Sequence, residues 1–259
     1  IGAGLSGIGA ASHLEREAPN KSYAILESRG SMGGTWDLFR YPGIRSDSDM
    51  HTLGYNFKPW KHERAIADGP TILDYIRETA REYDVEKHIR YNHRATKISW
   101  DSDRAVWTVT IEGEGASPRA ISCNFIYSCT GYYRYDQGYT PEFPDVEQFK
   151  GQLIHPQLWP EDLDYADKNV VVIGSGATAI TVVPEMAKTA KHVTMLQRSP
   201  TYVVSRPGRD PFALRMNRWL PSKLAYLVTR WKNVSMQALI YQYSRRRPQK
   251  MKAFLLSLT

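Results

Sequence analysis

Two glycine-rich loops constrain the fold of this sequence more than any other feature. Residues 2–7 read Gly-Ala-Gly-Leu-Ser-Gly, and residues 174–179 read Gly-Ser-Gly-Ala-Thr-Ala after the apolar run 169–173. Each loop continues into small, apolar residues, which are typical of a helix packed on a sheet. Glycines at such a turn let the backbone approach a pyrophosphate, and the N-terminus of the helix attracts the anion. The sequence therefore predicts an α/β fold with two Rossmann-like dinucleotide-binding domains, and a helical segment follows at the C-terminal end.

The two loops differ at the position that selects the cofactor. Glu27 stands twenty residues after Gly7, at the end of the strand-like run 23–27, where a carboxylate accepts hydrogen bonds from both ribose hydroxyls. Ser199 stands twenty residues after Ala179 and follows Arg198. An arginine with a neighbouring hydroxyl binds the 2′-phosphate that a carboxylate would repel. The first loop thus predicts an FAD site and the second an NADPH site, with a solvated surface arginine as the alternative interpretation of Arg198.

Hydrophobic periodicity predicts the elements around the loops. Helices are expected at 7–16 and at 177 to about 190, and strands at 169–174 and 192–197. Residues 70–84 have the pattern of an amphipathic helix, with Ile72, Leu73, Ile76 and Ala80 on one face. Two alternating segments, 89–100 and 105–111, predict a hairpin, and the apolar run 121–127 predicts a buried strand.

Charge and cysteine usage divide the chain further. The formal charge is +7, but residues 206–259 carry twelve Lys and Arg against Asp210 alone, so this segment is +11 and residues 1–205 are −4. We expect an FAD-binding domain at 1–140, an aromatic linker at 141–168, the start of an NADP-binding domain at 169–205 and a basic helical segment at 206–259. Cys123 and Cys129 stand too far apart along one strand for a disulfide, which predicts buried free thiols in a reducing cytoplasm. No apolar run approaches the roughly 20 residues that a transmembrane helix needs.

The linker contains residues 149–161, Phe-Lys-Gly-Gln-Leu-Ile-His-Pro-Gln-Leu-Trp-Pro-Glu. A turn glycine, an imidazole and a Trp-Pro pair between two nucleotide folds indicate a hinge, formed by Gly151, His155 and Trp159. The pattern resembles the fingerprint of the type I Baeyer–Villiger monooxygenases. The resemblance extends to both glycine loops, to Gly-Gly-Thr-Trp at 33–36 and to residues 40–47. The run 36–50 is especially similar to the branch that contains the ethionamide-activating monooxygenase.

The resemblance implies further cofactor contacts. FAD contacts fall at Ser6, Gly33, Gly34, Thr35, Trp36, Asp37, Leu38 and Asp47, with a backbone contact near Ala95, beside the loop glycines Gly2, Gly4 and Gly7. NADP contacts fall at Arg45, Ser46 and Asp47, at Gly174, Ser175, Gly176, Ala177, Thr178, Ala179 and Ile180, and at Arg198 and Ser199. In the family, Asp47 would orient a catalytic arginine, which lies in a later segment outside this sequence. A turn-capping carboxylate is the alternative role for Asp47.

The resemblance also implies a reaction. NADPH would reduce FAD by hydride transfer, and the reduced flavin would use O₂ to convert a ketone to an ester or lactone, or to oxygenate the sulfur of a thioether. One alternative is an N- or S-oxidising flavin-containing monooxygenase, whose motif lacks the Trp-Pro ending. Another is an anionic-surface binding module, in which residues 206–259 contact a membrane peripherally. Neither a nucleic-acid partner nor a metal is expected. Because Ile1 begins inside a motif, the chain is expected to be a fragment lacking its extreme N-terminus and its C-terminal half.

Overall fold

The structure, a computed structural model, describes residues 1–113, 116–199, 201–205 and 207–258, with the backbone alone at residue 116. Its helices are α1 (Leu5–Glu17), α2 (Thr35–Leu38), α3 (Met50–Leu53), α4 (Gly69–Glu82), α5 (Ala177–Met186), α6 (Pro211–Trp219), α7 (Ser222–Arg246) and α8 (Pro248–Leu256). Its strands are β1 (Ile25–Leu26), β2 (Ile89–Arg90), β3 (Arg94–Asp101), β4 (Val106–Gly113), β5 (Ala116–Cys123), β6 (Asn169–Ile173) and β7 (His192–Leu196). Short 3-10 helices span Glu86–His88, Val146–Gln148 and Pro156–Leu158.

Contacts group the chain into two units. Unit 1 comprises Ile1–Arg40 and Gly69–Glu161, and unit 2 comprises Tyr41–Asp68 and Asp162–Thr259. Each unit is therefore built from two stretches of sequence, and residues 41–68 join the second unit. The domain boundaries expected from the sequence, near residues 140, 168 and 205, remain a proposal.

Unit 1 contains the first glycine loop and the parallel pair β1–β2. The backbone of Ile1 and Gly2 lies beside this pair, because the Gly2 amide donates to Leu26 at 2.8 Å and the Cys129 amide donates to Ile1 at 2.8 Å. Helix α4 confirms the predicted amphipathic helix, since its four predicted apolar residues are all buried. It packs on α1 and α2 and so supports the glycine loop from the side.

The antiparallel sheet β3–β4–β5 belongs to the same unit. The predicted hairpin is confirmed by the pairing of β3 with β4, although Ile89 and Arg90 form the separate strand β2. The predicted buried strand at 121–127 is confirmed only at its start, and its end is wrong. Its first residues end β5, while Phe125 is 77% exposed and Tyr127 is 60% exposed. Residues 127–129 make two backbone hydrogen bonds to Ile1, which is too short a ladder for a strand.

Unit 2 contains a β6–α5–β7 unit whose two strands pair in parallel in full register from Asn169–His192 to Ile173–Leu196. The predicted strand–loop–helix–strand order is confirmed, with the helix ending at Met186 rather than near 190. Helix α5 packs on β6 and β7. No described helix is both long enough and apolar enough to cross a membrane.

The basic segment is helical over α6, α7 and α8, while its Arg206 and Thr259 lie outside the described residues. The N-terminal half of α7 packs inside unit 2, where Ala225, Tyr226 and Thr229 are buried. The C-terminal half is exposed, with Leu239 at 69% exposure. The segment thus contains one packed part and one solvated part.

Candidate functional site

The first glycine loop is shaped by close backbone contacts. Gly2 has φ +99°, and a side chain there would place its Cβ 2.6 Å from the carbonyl oxygen of Cys129. A Cβ on Gly7 would overlap the carbonyl oxygen of Gly2. Gly4 caps α1, which begins at Leu5, and a glycine offers no side chain to accept the first amides of the helix. In dinucleotide-binding folds a pyrophosphate is held at the N-terminus of such a helix, where the helix dipole favours an anion.

Glu27 lies at the end of β1, is 4% exposed and braces this loop. Its Oε2 accepts the backbone N–H of Ala3 at 2.8 Å, and its Oε1 accepts the backbone N–H of Arg29 at 2.9 Å. The carboxylate therefore fixes the glycine loop relative to β1. This contact between Glu27 and Ala3 was not predicted from the sequence.

The Gly33-Gly34 turn packs against the first loop. The Gly33 amide donates to Ala3 at 2.9 Å, and a Cβ on Gly34 would lie 3.1 Å from the Cα of Gly4. Both glycines have positive φ, +118° and +57°, which favours glycine at each position. Next to the turn, the Thr35 hydroxyl lies 3.3 Å from that of Tyr135.

Asp37, 5% exposed, is surrounded by arginines. Its Oδ2 accepts from Arg29 at 2.8 Å and from the Ser31 hydroxyl, and its Oδ1 accepts from Arg77 at 3.0 Å. Arg40 adds a longer ion pair at 3.8 Å. One carboxylate thus organises three guanidinium groups beside the glycine turn and leaves a local excess of positive charge. Asp37 was predicted as a cofactor contact from the resemblance, and its arginine partners were missed.

Of the other predicted cofactor contacts in unit 1, Ala95 lies on β3, Ser6 on α1, and Trp36 and Leu38 on α2. Ala95 packs against the core cluster of Leu26, Val109 and Ile111, next to an irregularity in the β3–β4 register. Ser6 is exposed, while Trp36 and Leu38 are half-buried.

The predicted hinge residues surround the 3-10 helix Pro156–Leu158. The Nδ1 of His155 accepts the amide of Gln157 at 3.2 Å, and the imidazole lies against Gly138, where a Cβ would overlap the ring. The buried Gln157 side chain donates to the carbonyl of Arg134. Gly151 is exposed and Trp159 is half-buried. His155 thus caps a turn inside unit 1, and Gly138 and Gln157 are partners that sequence reasoning missed.

The second glycine loop, in unit 2, is open. Gly174 has φ +129°, and a Cβ on Gly174 or on Gly176 would meet no atom within 4 Å. Gly176 caps α5, and the Gly174 amide donates to the end of β7 at Leu196 at 2.9 Å. Of the next residues, Ala177 is exposed, Ser175, Thr178 and Ile180 are half-buried and Ala179 is buried. Arg198 and Ser199 follow β7 after Gln197 and are exposed.

Residues 41–47 pack on α5 in the same unit. A Cβ on Gly43 would overlap Glu185, and Gly43 has φ +75°. The backbones of Arg45 and Asp68 form an isolated antiparallel β-bridge. The buried Ser46 donates its amide to the carbonyl of Ala67 at 2.9 Å. The two predicted NADP-contact segments, 45–47 and 174–180, are thus brought into one unit although about 130 residues separate them. Asp47 itself is exposed.

Among the described residues, no group of three or more His, Cys, Asp and Glu side chains is placed to hold a metal ion. Cys123 and Cys129 are free thiols, as predicted, but both are half-buried rather than buried. Burial raises the pKa of the Cys129 thiol, which keeps it protonated near neutral pH.

Comparison with known families and proteins gives matches over the whole chain. The flavin-binding monooxygenase-like family matches residues 61–251, and the NAD(P)-binding Rossmann-like domain matches residues 1–63. The FAD-containing monooxygenase EthA of Mycobacterium tuberculosis is 56% identical over 259 residues, which is 100% of this chain and 53% of that protein. The chain therefore spans about half the length of the curated relatives it matches.

Solved structures of flavoprotein monooxygenases are similar to this chain as well. The structure of OTEMO in complex with FAD and NADP superposes with a TM-score of 0.69 at 28% identity, over 93% of this chain and 44% of that chain. Cyclohexanone-bound cyclohexanone monooxygenase gives a TM-score of 0.70 at 27% identity, over 83% of this chain and 41% of that chain. These similarities confirm the predicted α/β fold with Rossmann-like dinucleotide-binding domains.

Proposed function

Because the chain belongs to the flavin-binding monooxygenase-like family, we propose that the polypeptide containing it is an FAD- and NADPH-dependent monooxygenase of the Baeyer–Villiger type. The observation that carries this proposal is the pair of glycine loops in separate units, one followed by Glu27 and the other by Arg198. The resemblance drawn from the sequence motifs is confirmed by these relatives.

The residues of unit 1 fit FAD. Gly2, Gly4 and Gly7 form a turn at the N-terminus of α1, in which Gly2 and Gly7 have a steric reason to lack a side chain and Gly4 is the N-cap. The arginines around Asp37 supply positive charge beside the neighbouring Gly33-Gly34 turn. A diphosphate dianion is stabilised by both features. Glu27 stands at the strand end where a ribose is bound in such folds.

The residues of unit 2 fit NADPH. The space around Gly174 and Gly176 is open on the side where a Cβ would project, so a dinucleotide can approach the backbone there. Exposed Arg198 and Ser199 at the end of β7 can bind a 2′-phosphate, which favours NADPH over NADH. Arg45, Ser46 and Asp47 belong to the same unit and are proposed as further contacts.

When bound, the flavin supplies the oxygen-activating chemistry, and the protein supplies binding, orientation and electrostatics. We propose ketones as substrates, converted to esters or lactones, with thioethers as additional substrates. Asp47 is proposed to orient a cationic side chain that stabilises the negative charge developing on oxygen. Gly151, His155 and Trp159 are proposed as the hinge through which the nicotinamide cofactor changes position.

Two further proposals concern partners and location. The exposed C-terminal half of α7, together with α8, carries Arg245, Arg246, Arg247, Lys250 and Lys252 beside exposed apolar side chains, which supports peripheral contact with an anionic membrane. Sedimentation with liposomes tests this: binding that requires anionic lipid and weakens with salt supports the contact, and binding indifferent to both contradicts it. The free thiols support a reducing, cytoplasmic location.

The experiment that tests the cofactor assignment is reconstitution of the polypeptide with FAD. We expect a bound, non-covalent flavin with a visible absorption spectrum that NADPH bleaches without oxygen. The N-oxidising alternative shares this result and is distinguished by products, because it gives N-oxides and no ester from ketones. Failure to retain flavin after reconstitution would contradict the assignment of unit 1.

A further inference from the structure

The four-residue helix α3 directly follows the loop that presents Asp47, and α7 holds its N-terminal end. Asp49 caps α3: its Oδ1 accepts the amide of Thr52 at 3.0 Å, and its Oδ2 accepts the Thr52 hydroxyl at 2.9 Å. The same carboxylate accepts Nδ2 of Asn233 at 2.9 Å and Nε2 of Gln237 at 3.3 Å. Asn233 and Gln237 are one turn apart on α7, so both face the capping carboxylate.

Helix α7 also holds the C-terminal end of α3. The Nη1 atom of Arg230 donates to three backbone carbonyls at this end, at 2.9 Å (His51), 3.1 Å (Thr52) and 2.7 Å (Gly54). A guanidinium at this position satisfies carbonyls that a helix end leaves without partners and complements the helix dipole. A four-residue helix is not stable by itself, so its position depends on these contacts.

Asp47 lies between two anchored residues. On one side, Ser46 is buried, donates its amide to Ala67, and donates its hydroxyl to the carbonyl of Ser48 at 2.8 Å. On the other side, Asp49 is 8% exposed and is held by α7. The exposed Asp47 side chain therefore projects from a loop whose two ends are fixed within unit 2.

We propose that Asn233, Gln237 and Arg230 are positioning residues for Asp47, so that the part of the basic helix α7 that contacts α3 serves the oxygenation step. This inference rests on the proposed function, from which the role of Asp47 is taken. This role of α7 depends on hydrogen bonds to α3 and to its capping residue Asp49 rather than on a charged surface.

Two substitutions at one position test it in the flavin-loaded polypeptide. Asn233→Ala removes one donor to Asp49 and a longer hydrogen bond to Asp210, and Asn233→Asp places a further carboxylate against both. We expect NADPH-dependent flavin reduction to keep its rate while the oxygenated product formed per NADPH falls about tenfold for Asn233→Ala and further for Asn233→Asp. Hydrogen exchange of the backbone amides at residues 46–54 should be faster in Asn233→Ala than in the parent, and fastest in Asn233→Asp. Gln242→Ala, on the exposed part of the same helix, is the matched control and should leave all three quantities unchanged.

Three results would overturn the inference. The first is a product yield that stays unchanged in both Asn233 variants. The second is an equal loss of flavin reduction and of product yield, and the third is unchanged hydrogen exchange of the backbone amides at residues 46–54. If the unsubstituted enzyme gives no oxygenated product, the proposed function fails, and the exchange measurement still decides whether α7 holds α3. Arg230→Met provides a second disruption of the same contacts and should lower product yield as Asn233→Asp does, provided that the variant folds.

Discussion

The side-chain amide of Asn233 donates a 2.9 Å hydrogen bond to the carboxylate of Asp49, across 184 positions of sequence. The bond fixes the start of α3, two residues after Asp47. A long basic helix is therefore connected to the loop for which an active role is proposed. The charge of the segment, which is its most visible feature in the sequence, gave no indication of this contact.

Substitution at Asp47 should separate flavin reduction from oxygenation. In Asp47→Ala, NADPH-dependent flavin reduction should remain at least partly intact, because the change removes a side chain and leaves the anchored backbone in place. Ester formation should fall by about two orders of magnitude, since the charge proposed to orient a catalytic cation is lost. NADPH consumption would then release hydrogen peroxide, and measuring peroxide and ester per NADPH checks this. An Asp47→Ala enzyme with full ester yield would remove Asp47 from the mechanism.

The two glycine loops should respond differently to alanine. In Gly176→Ala the new Cβ meets no protein atom within 4 Å, so stability should stay within about 1 kcal/mol of the parent while NADP⁺ binding weakens. In Gly7→Ala the Cβ overlaps the carbonyl of Gly2, so both folding and FAD binding should suffer. Thermal unfolding and cofactor titration of both variants check this. Unchanged NADP⁺ affinity in Gly176→Ala would show that the open space is not a cofactor site.

Arg198 should distinguish NADPH from NADH. In Arg198→Ala the Michaelis constant for NADPH should rise about ten- to hundredfold, the effect of losing a charge-assisted hydrogen bond of about 1.5–3 kcal/mol. The constant for NADH should change little, because NADH has no 2′-phosphate. Steady-state kinetics with both cofactors measure the difference. Equal losses for the two cofactors would show that Arg198 does not bind the 2′-phosphate.

Much of the local structure could be predicted because its signals are local. The helix at 70–84 and the hairpin follow from periodicity, and both glycine loops were found from spacing. The end of the strand predicted at 121–127 was wrong because an apolar run does not reveal whether a partner strand lies beside it. The arginines around Asp37 and the contacts between α7 and α3 could not be predicted, because they join residues that are distant in sequence. Asp49 and Thr52 do form a helix N-cap pattern that would have indicated α3.

His51 should make stability depend on pH. Its side chain is 4% exposed, and its Nδ1 has no hydrogen-bond partner among the described residues. Burial lowers the pKa of His51, Lys232 lowers it further, and Asp49 and Asp210 oppose the shift. The unfolded chain therefore binds a proton at His51 more readily than the folded chain does. The contribution of neutral, buried His51 to the free energy of unfolding is thus fully present above about pH 6.5, and it should be lost as the pH falls from there through the pKa of His51 in the folded protein.

Unfolding measured across this pH range checks the prediction. His51→Gln should flatten the dependence, and the exposed His192 provides the control, because His192→Gln should leave it unchanged. The same slope in His51→Gln as in the parent would assign the pH dependence to other groups.

The most direct measurement is product analysis of the FAD-loaded polypeptide with NADPH, a ketone and ¹⁸O₂. The account predicts an ester or lactone that carries one labelled oxygen atom, formed only when NADPH is present. Flavin that NADPH reduces, with N-oxides but no ester from any ketone tested, would contradict the account and favour the N-oxidising alternative.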